Sequence, residues 1–480
     1  MIYFLVSVLL KIYVIFNVLQ KNYYEYKSVI KFTVKKFYIL FSTNVAILLF
    51  GLFKHSIFEY LIIGTMLFQL SYIIKRSKVF LKVTSRIVRL LFTLALEIVL
   101  LTFFLPYLLI DTFIPILILL ANVINKPIEL MIKKSFIKKA IKKSNNIDAI
   151  KIAITGSYGK TSVKNYIGKT LKETYLVKYT PKSYNTPLGI SKFINTGNFS
   201  HLDFLIYEFG ARRVGDIVEL TKYYDYDISI VTSIGTMHID TFKNMENIIK
   251  EKMGIVKKDE NHITILNYEN EYIRNYEISF PKYTYGFNYG EFTAKNIYLS
   301  IFFSEFDLYI KNVFIKRIKI NMLGRQAILN VMPSVVMCYL LNISFEHLSE
   351  IKSVNNRLSL RQFADYYILD DAYNSNIVGV KYALEVLKSY DGMKFIITPG
   401  LVEMDKEKEE LTSIYSNLIV ESVDVCILVD NSFTRLMKEK IKAEVSVYLV
   451  SDFKAGFKLF LNMKKDKSIL LIENDLPDSF

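Results

Sequence analysis

The stretch ITGSYGKTSVKNYI, residues 154–167, sets two glycines, a lysine and a threonine between a β-branched run and a helical pattern. Gly156 and Gly159 free the backbone to turn its N–H groups toward phosphate oxygens at a helix N-terminus. Lys160 offers a point charge to the terminal phosphates of a nucleotide, and Thr161 a hydroxyl for Mg²⁺. A P-loop of the usual spacing carries glycine at 154, where this chain has Ile154, so the turn is the shorter GxxGKT kind. The expected ATP-contacting segment is Gly156, Ser157, Tyr158, Gly159, Lys160, Thr161 and Ser162. A bare glycine turn also joins strand to helix without a ligand; the attached GKT is what argues for a nucleotide.

The elements around this turn have two characters. Apolar stretches lie at about 1–20, 38–53, 57–74 and 90–124, and a basic stretch with seven lysines follows at 125–147. The fourth stretch exceeds one span of roughly 20 residues and is interrupted by Pro106, Asp111 and Pro115, which predicts a hairpin and about five spans in all. The apolar positions of 125–147 fit a helix lying on a membrane surface. From 148 onward, short runs such as AIKIAIT, DFLIYEF, DISIVTSIG and HITILN alternate with helical patterns, the pattern of an α/β domain with a mostly parallel sheet. After a polar junction near 345–355, YYILDD, KFIITPG, VCILVD and SILLIEN predict a second α/β unit. The expected fold is an N-terminal α-helical transmembrane region (1–124), a basic amphipathic linker (125–147) and two α/β domains (148–345 and 346–480).

Charge follows the same division. Residues 1–150 hold 20 Lys+Arg against 6 Asp+Glu, so nearly all of the net +15 lies there, flanking apolar runs. That is the pattern of membrane topology and anionic headgroups rather than of nucleic-acid binding. Basic loops at 21–37, 75–89 and beyond 125 stay inside by the positive-inside rule, which predicts a multi-pass cell-membrane protein with its α/β domains cytoplasmic and the turn near Asp111 outside. Cys338 and Cys426 sit in apolar runs and read as reduced core residues, with no metal-binding spacing.

Several further segments resemble the Mur ligases, the ATP-dependent amide-forming enzymes of peptidoglycan precursor synthesis, and among them the MurF type, which adds D-Ala-D-Ala to UDP-MurNAc-tripeptide. They are EFGARRVGDI (208–217), VTSIGTMHIDTF (231–242), KEKMGIV (250–256), LGRQAILN (323–330), NRLSL (356–360) and DDAYNSN (370–376), in order, over about 148–480. The MurF type begins with a soluble domain that grips the UDP-sugar; here membrane segments take its place. SYNTPLG (183–189), ITPGLVEM (397–404) and the ending ENDLPDS resemble a membrane-anchored branch of the family.

The resemblance implies the chemistry and the residues. A carboxylate is phosphorylated by ATP and the acyl phosphate is displaced by an amine, so cations must neutralise a carboxylate meeting the γ-phosphate. Glu208 ends an apolar strand, where a carboxylate needs a partner; the family role is Mg²⁺ binding, together with Thr161 and His238. Lys252, 14 residues after His238, matches the lysine that the family carbamylates to place Mg²⁺, with Lys250 as the other choice. A glutamate often follows two places after that lysine, where this chain has Gly254. Asn330 matches the adenine side, although Gln326-Ala327 replace the usual His-Asn. Arg357, Asp371 and Asn374 would reach the nucleotide from the C-terminal domain. Asn185, Thr186, Arg212 and Arg213 are the acceptor-side choices.

The implied function is an ATP- and Mg²⁺-dependent ligase joining an amino acid or dipeptide to a muramoyl-peptide or lipid-linked acceptor. Two alternatives stay open: a Mur-like ligase making another amide polymer such as poly-γ-glutamate, and a non-catalytic ATP-binding membrane scaffold. The set Lys160, Thr161, Glu208, His238, Lys252 and Arg357 argues against the scaffold.

Overall fold

The computed structural model describes residues 2–22, 24–54, 57–76, 81–257, 259–351, 358–372, 377–401, 408–441 and 445–474. Arg357 and Asn374 lie outside the described residues. The chain forms two units, Met1–Phe136 and Ile137–Phe480.

The first unit is helical: α1 (Ile2–Lys21), α2 (Tyr26–Lys35), α3 (Phe37–Phe53), α4 (Ile57–Arg76), α5 (Ser85–Thr102) and α6 (Tyr107–Asn145), the last running on into the second unit. Ile110, Ile114, Leu117, Ile118 and Ala121 fall on one face of α6 by helical spacing and are buried with Ile15, Phe16 and Leu19 of α1 and Leu90 and Leu94 of α5. Among the described residues, two helices, Tyr3–Lys21 and Tyr107–Asn145, are long and apolar enough to cross a membrane, or three if the bent pair α2–α3 is one span. The about five spans expected are not supported by this measure. The outermost turns of α4 carry Glu59, Lys75 and Arg76, and α5 carries Arg86, Arg89 and Glu97, so each is shorter as an apolar segment than as a helix. The break in the fourth apolar stretch falls between Thr102 and Tyr107, not around Asp111. The basic stretch 125–147 is helical as far as Asn145 and continues α6, with Pro115 and Pro127 inside the helix.

Asp111 is fully buried, and Lys11 donates to its Oδ2 at 2.8 Å. Ser7 Oγ donates to the same oxygen at 2.9 Å, and Lys11 also donates to Asn44, whose amide donates to Thr112 Oγ1 at 3.0 Å. One polar knot thus ties α1, α3 and α6 together inside an apolar bundle, which is why Asp111 does not face an aqueous turn. Asp111→Ala leaves a buried ammonium without its carboxylate and should cost about 3–5 kcal/mol, whereas Lys11→Met/Asp111→Leu should recover most of it. Thermal unfolding of the full chain in detergent tests this; equal midpoints for wild type and Asp111→Ala refute it.

The second unit begins with β1 (Ile150–Thr155), α7 (Lys160–Lys172), β2 (Val177–Tyr179), α8 (Pro187–Thr196), β3 (Phe204–Glu208), α9 (Asp216–Tyr223), β4 (Ile228–Val231), α10 (Ile239–Phe242) and α11 (Met245–Met253). It continues with β5 (Ile263–Asn267), α12 (Glu271–Arg274), β6 (Tyr283–Gly286), β7 (Phe292–Leu299), β8 (Ser304–Ile310), β9 (Val313–Ile320) and α13 (Gly324–Leu341). The nine strands form one sheet in the order β2-β3-β1-β4-β5-β6-β7-β8-β9, parallel as far as β7 and antiparallel beyond. Strand alternation divides the core. Ile152, Ile154, Phe204 and Ile206 face α7 and α13, while Ala153, Leu205 and Tyr207 face the opposite layer. On α7 the buried Val163, Tyr166, Ile167 and Leu171 recur at helical spacing and fix which way the helix leaves the turn.

A second sheet follows from β10 (Ser359–Gln362), β11 (Tyr366–Asp371), α14 (Ile377–Lys388), β12 (Lys394–Thr398), α15 (Lys408–Val420), β13 (Val425–Val429), α16 (Ser432–Lys440), β14 (Ser446–Val450), α17 (Phe453–Met463) and β15 (Ser468–Glu473). Its order is β10-β11-β15-β12-β13-β14, parallel apart from β10. The last strand inserts between β11 and β12 and sets Glu473 beside Asp371 at the strand ends. Cys338 and Cys426 are free and buried, and burial raises both thiol pKa values, as expected of core cysteines.

Candidate functional site

The site forms where three strand ends meet. Register places Glu208 beside Ile154 and Val231 beside Thr155, so the chain leaving β1, β3 and β4 emerges at one edge of the sheet. The turn from Gly156 to Gly159 is seated on the segment after β4. Ser157 N donates to Ser233 O at 2.6 Å, Tyr158 N to Ser233 Oγ at 3.0 Å, and Gly235 N to Ser157 Oγ at 3.0 Å. Tyr158 packs over Gly235, and burial raises its phenol pKa against a hydrogen bond with Thr236 that lowers it.

Both glycines are required. Gly156 (φ +149°) and Gly159 (φ +82°) adopt backbone conformations that L side chains rarely take. A Cβ on Gly156 would stand 2.1 Å from Thr232 Oγ1, and one on Gly159 2.6 Å from Asn330 Oδ1. The second contact brings Asn330 of α13, held by Gln326 Nε2 at 3.2 Å, directly against the turn. Lys160 folds back over it and donates to Gly156 O at 2.6 Å and Ser157 O at 3.0 Å. Ser162 is buried in the first turn of α7.

Glu208 is only 1% exposed, and its carboxylate is fully engaged. Thr161 Oγ1 lies 3.1 and 3.0 Å from its two oxygens, Asn185 Nδ2 donates at 3.1 Å, and Lys164 Nζ, itself buried, pairs with Oε2 at 2.8 Å. Burial lowers the Lys164 pKa, and the charge of Glu208 opposes that shift. The sequence reading missed Lys164. The available signal was a lysine one helical turn after Lys160, next to Val163 and Ile167 on an otherwise apolar face. Lys164→Met should destabilise the chain by about 3–5 kcal/mol, because it leaves a buried carboxylate unneutralised; adding Glu208→Gln should restore most of the loss. Urea midpoints of the three forms decide it, and an unchanged Lys164→Met refutes it.

The segment after Glu208 gathers the remaining residues. Lys252 of α11, 3% exposed, donates to Ala211 O at 3.3 Å. Burial and the nearby Lys160 charge together bring its pKa down to about 7, against the raising effect of Glu251 and Asp216. Lys250, by contrast, is exposed and pairs with Glu246 at 2.7 Å. Glu251 accepts from Gly215 N and Ile217 N at the start of α9, which locks α11 in place. His238 is exposed and in the left-handed region (φ 62°) at the start of α10, which Thr241 ties to Arg212 O.

The acceptor-side choices separate. Asn185 belongs to the Glu208 cluster, and Thr186 caps α8 by accepting from Gly189 N at 3.2 Å. Arg212 and Arg213 are exposed, and their backbone N–H groups bond Asp216. Asp371 is buried at the end of β11 in the other sheet. Thr161 Oγ1 and Glu208 supply hard oxygens within hydrogen-bond distance of each other, a donor pair that suits Mg²⁺.

Residues 154–338 match the Mur ligase middle domain. A UDP-N-acetylmuramate–L-alanine ligase of Dictyoglomus turgidum is 29% identical over 199 residues, covering 39% of this chain and 42% of the relative. The UDP-N-acetylmuramoyl-tripeptide–D-alanyl-D-alanine ligase of Escherichia coli is 23% identical over 269 residues, 54% of this chain and 59% of the relative. The matched stretches thus span about half of these curated relatives' length. The crystal structure of the MurF ligase from Thermotoga maritima in complex with ADP superposes with a TM-score of 0.63 at 22% identity, over 72% of this chain and 80% of that one.

Sheet, glycine turn and carboxylate cluster therefore lie in a Mur ligase middle domain. By these similarities the chain resembles the MurF-type ligases.

Proposed function

We propose that this chain is an ATP-dependent amide ligase of peptidoglycan precursor synthesis that joins D-Ala-D-Ala, or a similar amine, to a muramoyl-peptide. The observation that carries the reading is the meeting of the glycine turn, Lys160 and Thr161 with the engaged carboxylate of Glu208 at one sheet edge. In the reaction an acceptor carboxylate oxygen attacks the γ-phosphorus of ATP and ADP leaves. The amine then attacks the carbonyl carbon, phosphate departs, and the amine gives up a proton.

The turn's N–H groups and the N-terminus of α7 hold the phosphates, and Lys160 swings from the loop carbonyls onto the terminal ones. Mg²⁺, when bound, neutralises charge between the carboxylate and the γ-phosphate; Thr161, Glu208, His238 and a carbamylated Lys252 would hold it. The half-neutral amine of Lys252 supports that last role, since an unprotonated amine is what attacks CO₂. Asn330 borders the turn on the adenine side, and Arg357, Asp371 and Asn374 would close on the nucleotide from the second sheet. Asn185 acts by orienting Glu208; Thr186, Arg212 and Arg213 border the acceptor. The apolar helices α1 and α6 support a membrane location, with the ligase on the ATP-containing cytoplasmic side.

The test is ADP release by the purified full-length chain offered UDP-MurNAc-peptide with D-Ala-D-Ala, a lipid-linked muramoyl-peptide with D-Ala-D-Ala, and glutamate in turn. Release with a muramoyl acceptor is expected, and the first two arms show whether that acceptor is soluble or lipid-linked. Release with glutamate alone overturns the reading in favour of a polyglutamate-type ligase, and release with none favours the scaffold.

A further inference from the structure

Lys164 brings a cation of the protein's own to the carboxylate that the proposed reaction needs for its metal. It stands three residues after Thr161 on α7, so both side chains reach the end of β3 from one helix face. Thr161 Oγ1 lies 3.1 and 3.0 Å from the two oxygens of Glu208, Asn185 Nδ2 donates to Oε1 at 3.1 Å, and Lys164 Nζ donates to Oε2 at 2.8 Å. The other two lysines of the site donate elsewhere, Lys160 to the carbonyls of Gly156 and Ser157 and Lys252 to that of Ala211. The charge of Glu208 is therefore balanced within the protein.

The ammonium of Lys164 has nowhere else to go. Its side chain is 0% exposed and shares the helix with the buried Val163 and Ile167. A second bond runs to the carbonyl of Lys182, in a turn fixed by the left-handed backbone of Lys182 (φ 47°) and by Tyr184 N donating to Pro181 O at 3.1 Å. Withdrawn from Glu208, the charge would stay buried with one neutral carbonyl as its partner, the costly outcome of breaking a buried ion pair. A divalent ion arriving at Thr161 and Glu208 must share the carboxylate with a cation that stays.

We propose that Lys164 is a positioning residue that weakens the protein's own grip on the metal, so that the ion is held mainly through the nucleotide phosphates and leaves with the nucleotide. This rests on the ligase reading, in which Thr161 and Glu208 hold Mg²⁺. Lys164 both fixes the direction of the carboxylate and subtracts from its charge, and the two effects have opposite signs when the lysine is replaced. Loss of a brace loosens Glu208 and weakens metal binding. Loss of a like charge beside a cation strengthens it.

Mn²⁺ is the probe, because electron paramagnetic resonance reads its free form directly. The purified full-length chain in detergent is titrated at fixed dissolved CO₂, without nucleotide and with ADP. Lys164→Gln keeps an N–H donor and removes the charge. Without nucleotide it should bind Mn²⁺ about tenfold more tightly than wild type, a small part of the repulsion between a monovalent and a divalent cation sharing one carboxylate. Lys164→Arg keeps the charge and should not tighten binding. Unfolding midpoints give a second readout. Mn²⁺ takes over the neutralising charge, so one concentration should raise the midpoint of Lys164→Gln more than that of wild type, and a variant that folds only with Mn²⁺ is the extreme of the same result. Equal or weaker binding by Lys164→Gln overturns the proposal, weaker binding being the mark of a brace alone. Wild type that binds no Mn²⁺, even with ADP and beyond what ADP binds by itself, overturns the metal reading of Glu208 and this inference with it.

Discussion

Lys160→Ala is expected to lower ATP-dependent ligation by at least 10²–10³-fold, the scale seen when one preorganised charge is removed from a transition state, while the fold survives. The lysine is half-buried and spans the turn by two bonds to backbone carbonyls, so its loss should cost only about 1 kcal/mol of stability. The variant has a second readout that does not depend on turnover. The Lys160 charge is one of the causes holding down the Lys252 pKa. Removing it should raise that pKa, so carbamate formation from ¹³CO₂ should need a higher pH in the variant than in wild type. A variant that ligates near the wild-type rate refutes the nucleotide reading of the turn, and an unmoved carbamate profile refutes the Lys160–Lys252 coupling.

Much of the sheet was legible because buried parallel strands read as continuous β-branched runs. AIKIAIT, DFLIYEF, DISIVTSIG and HITILN became β1, β3, β4 and β5, and the four runs of the second domain became β11, β12, β13 and β15. Strand order was not legible. Nothing local places the last strand, Ser468–Glu473, between β11 and β12, because that position is set by which helices cover which face. The antiparallel extension β7–β9 was also missed. Val313, Phe314 and Ile315 at its outer strand are exposed, so apolar residues there mark no core.

The site was legible where chemistry demands particular residue types and not where packing supplies the partner. Gly156, Gly159, Lys160 and Thr161 are dictated by what phosphate needs. The ion pair of Lys164 with Glu208 joins residues 44 apart, and Lys11 with Asp111 residues 100 apart. The second pair shows why the turn was expected too far along the chain. An aspartate interrupting an apolar run was taken for an aqueous turn, whereas a lysine on another helix neutralises it inside the bundle. Hydropathy along the chain carries no information about such a partner.

Lys252 makes the sharpest contrast with its neighbour two residues away. Lys252→Ala should be inactive, with partial rescue by a small added carboxylate that substitutes for the lost carbamate. Lys250→Ala should keep wild-type activity and stability, because that side chain lies on a solvated helix face. Stability should carry the same signature. Unfolded, Lys252 binds its proton up to about pH 10.5; folded, burial and Lys160 confine that binding to below about 7. Between these values the unfolded chain holds the extra proton, so this residue makes stability rise with pH across that window, and its cost is fully present below it. Lys252→Met removes the cost. It should therefore be more stable than wild type at pH 6, with the advantage shrinking as pH climbs from 7 toward 10.5. Wild-type activity should also rise with pH: the amine must be neutral to take up CO₂, so turnover rises through about pH 7. Denaturation midpoints of both proteins across this range, alongside wild-type rates at fixed dissolved CO₂, test the two halves separately. A stability gap that widens with pH contradicts the buried-amine account, and an active Lys252→Ala beside a dead Lys250→Ala assigns the carbamate to the other lysine.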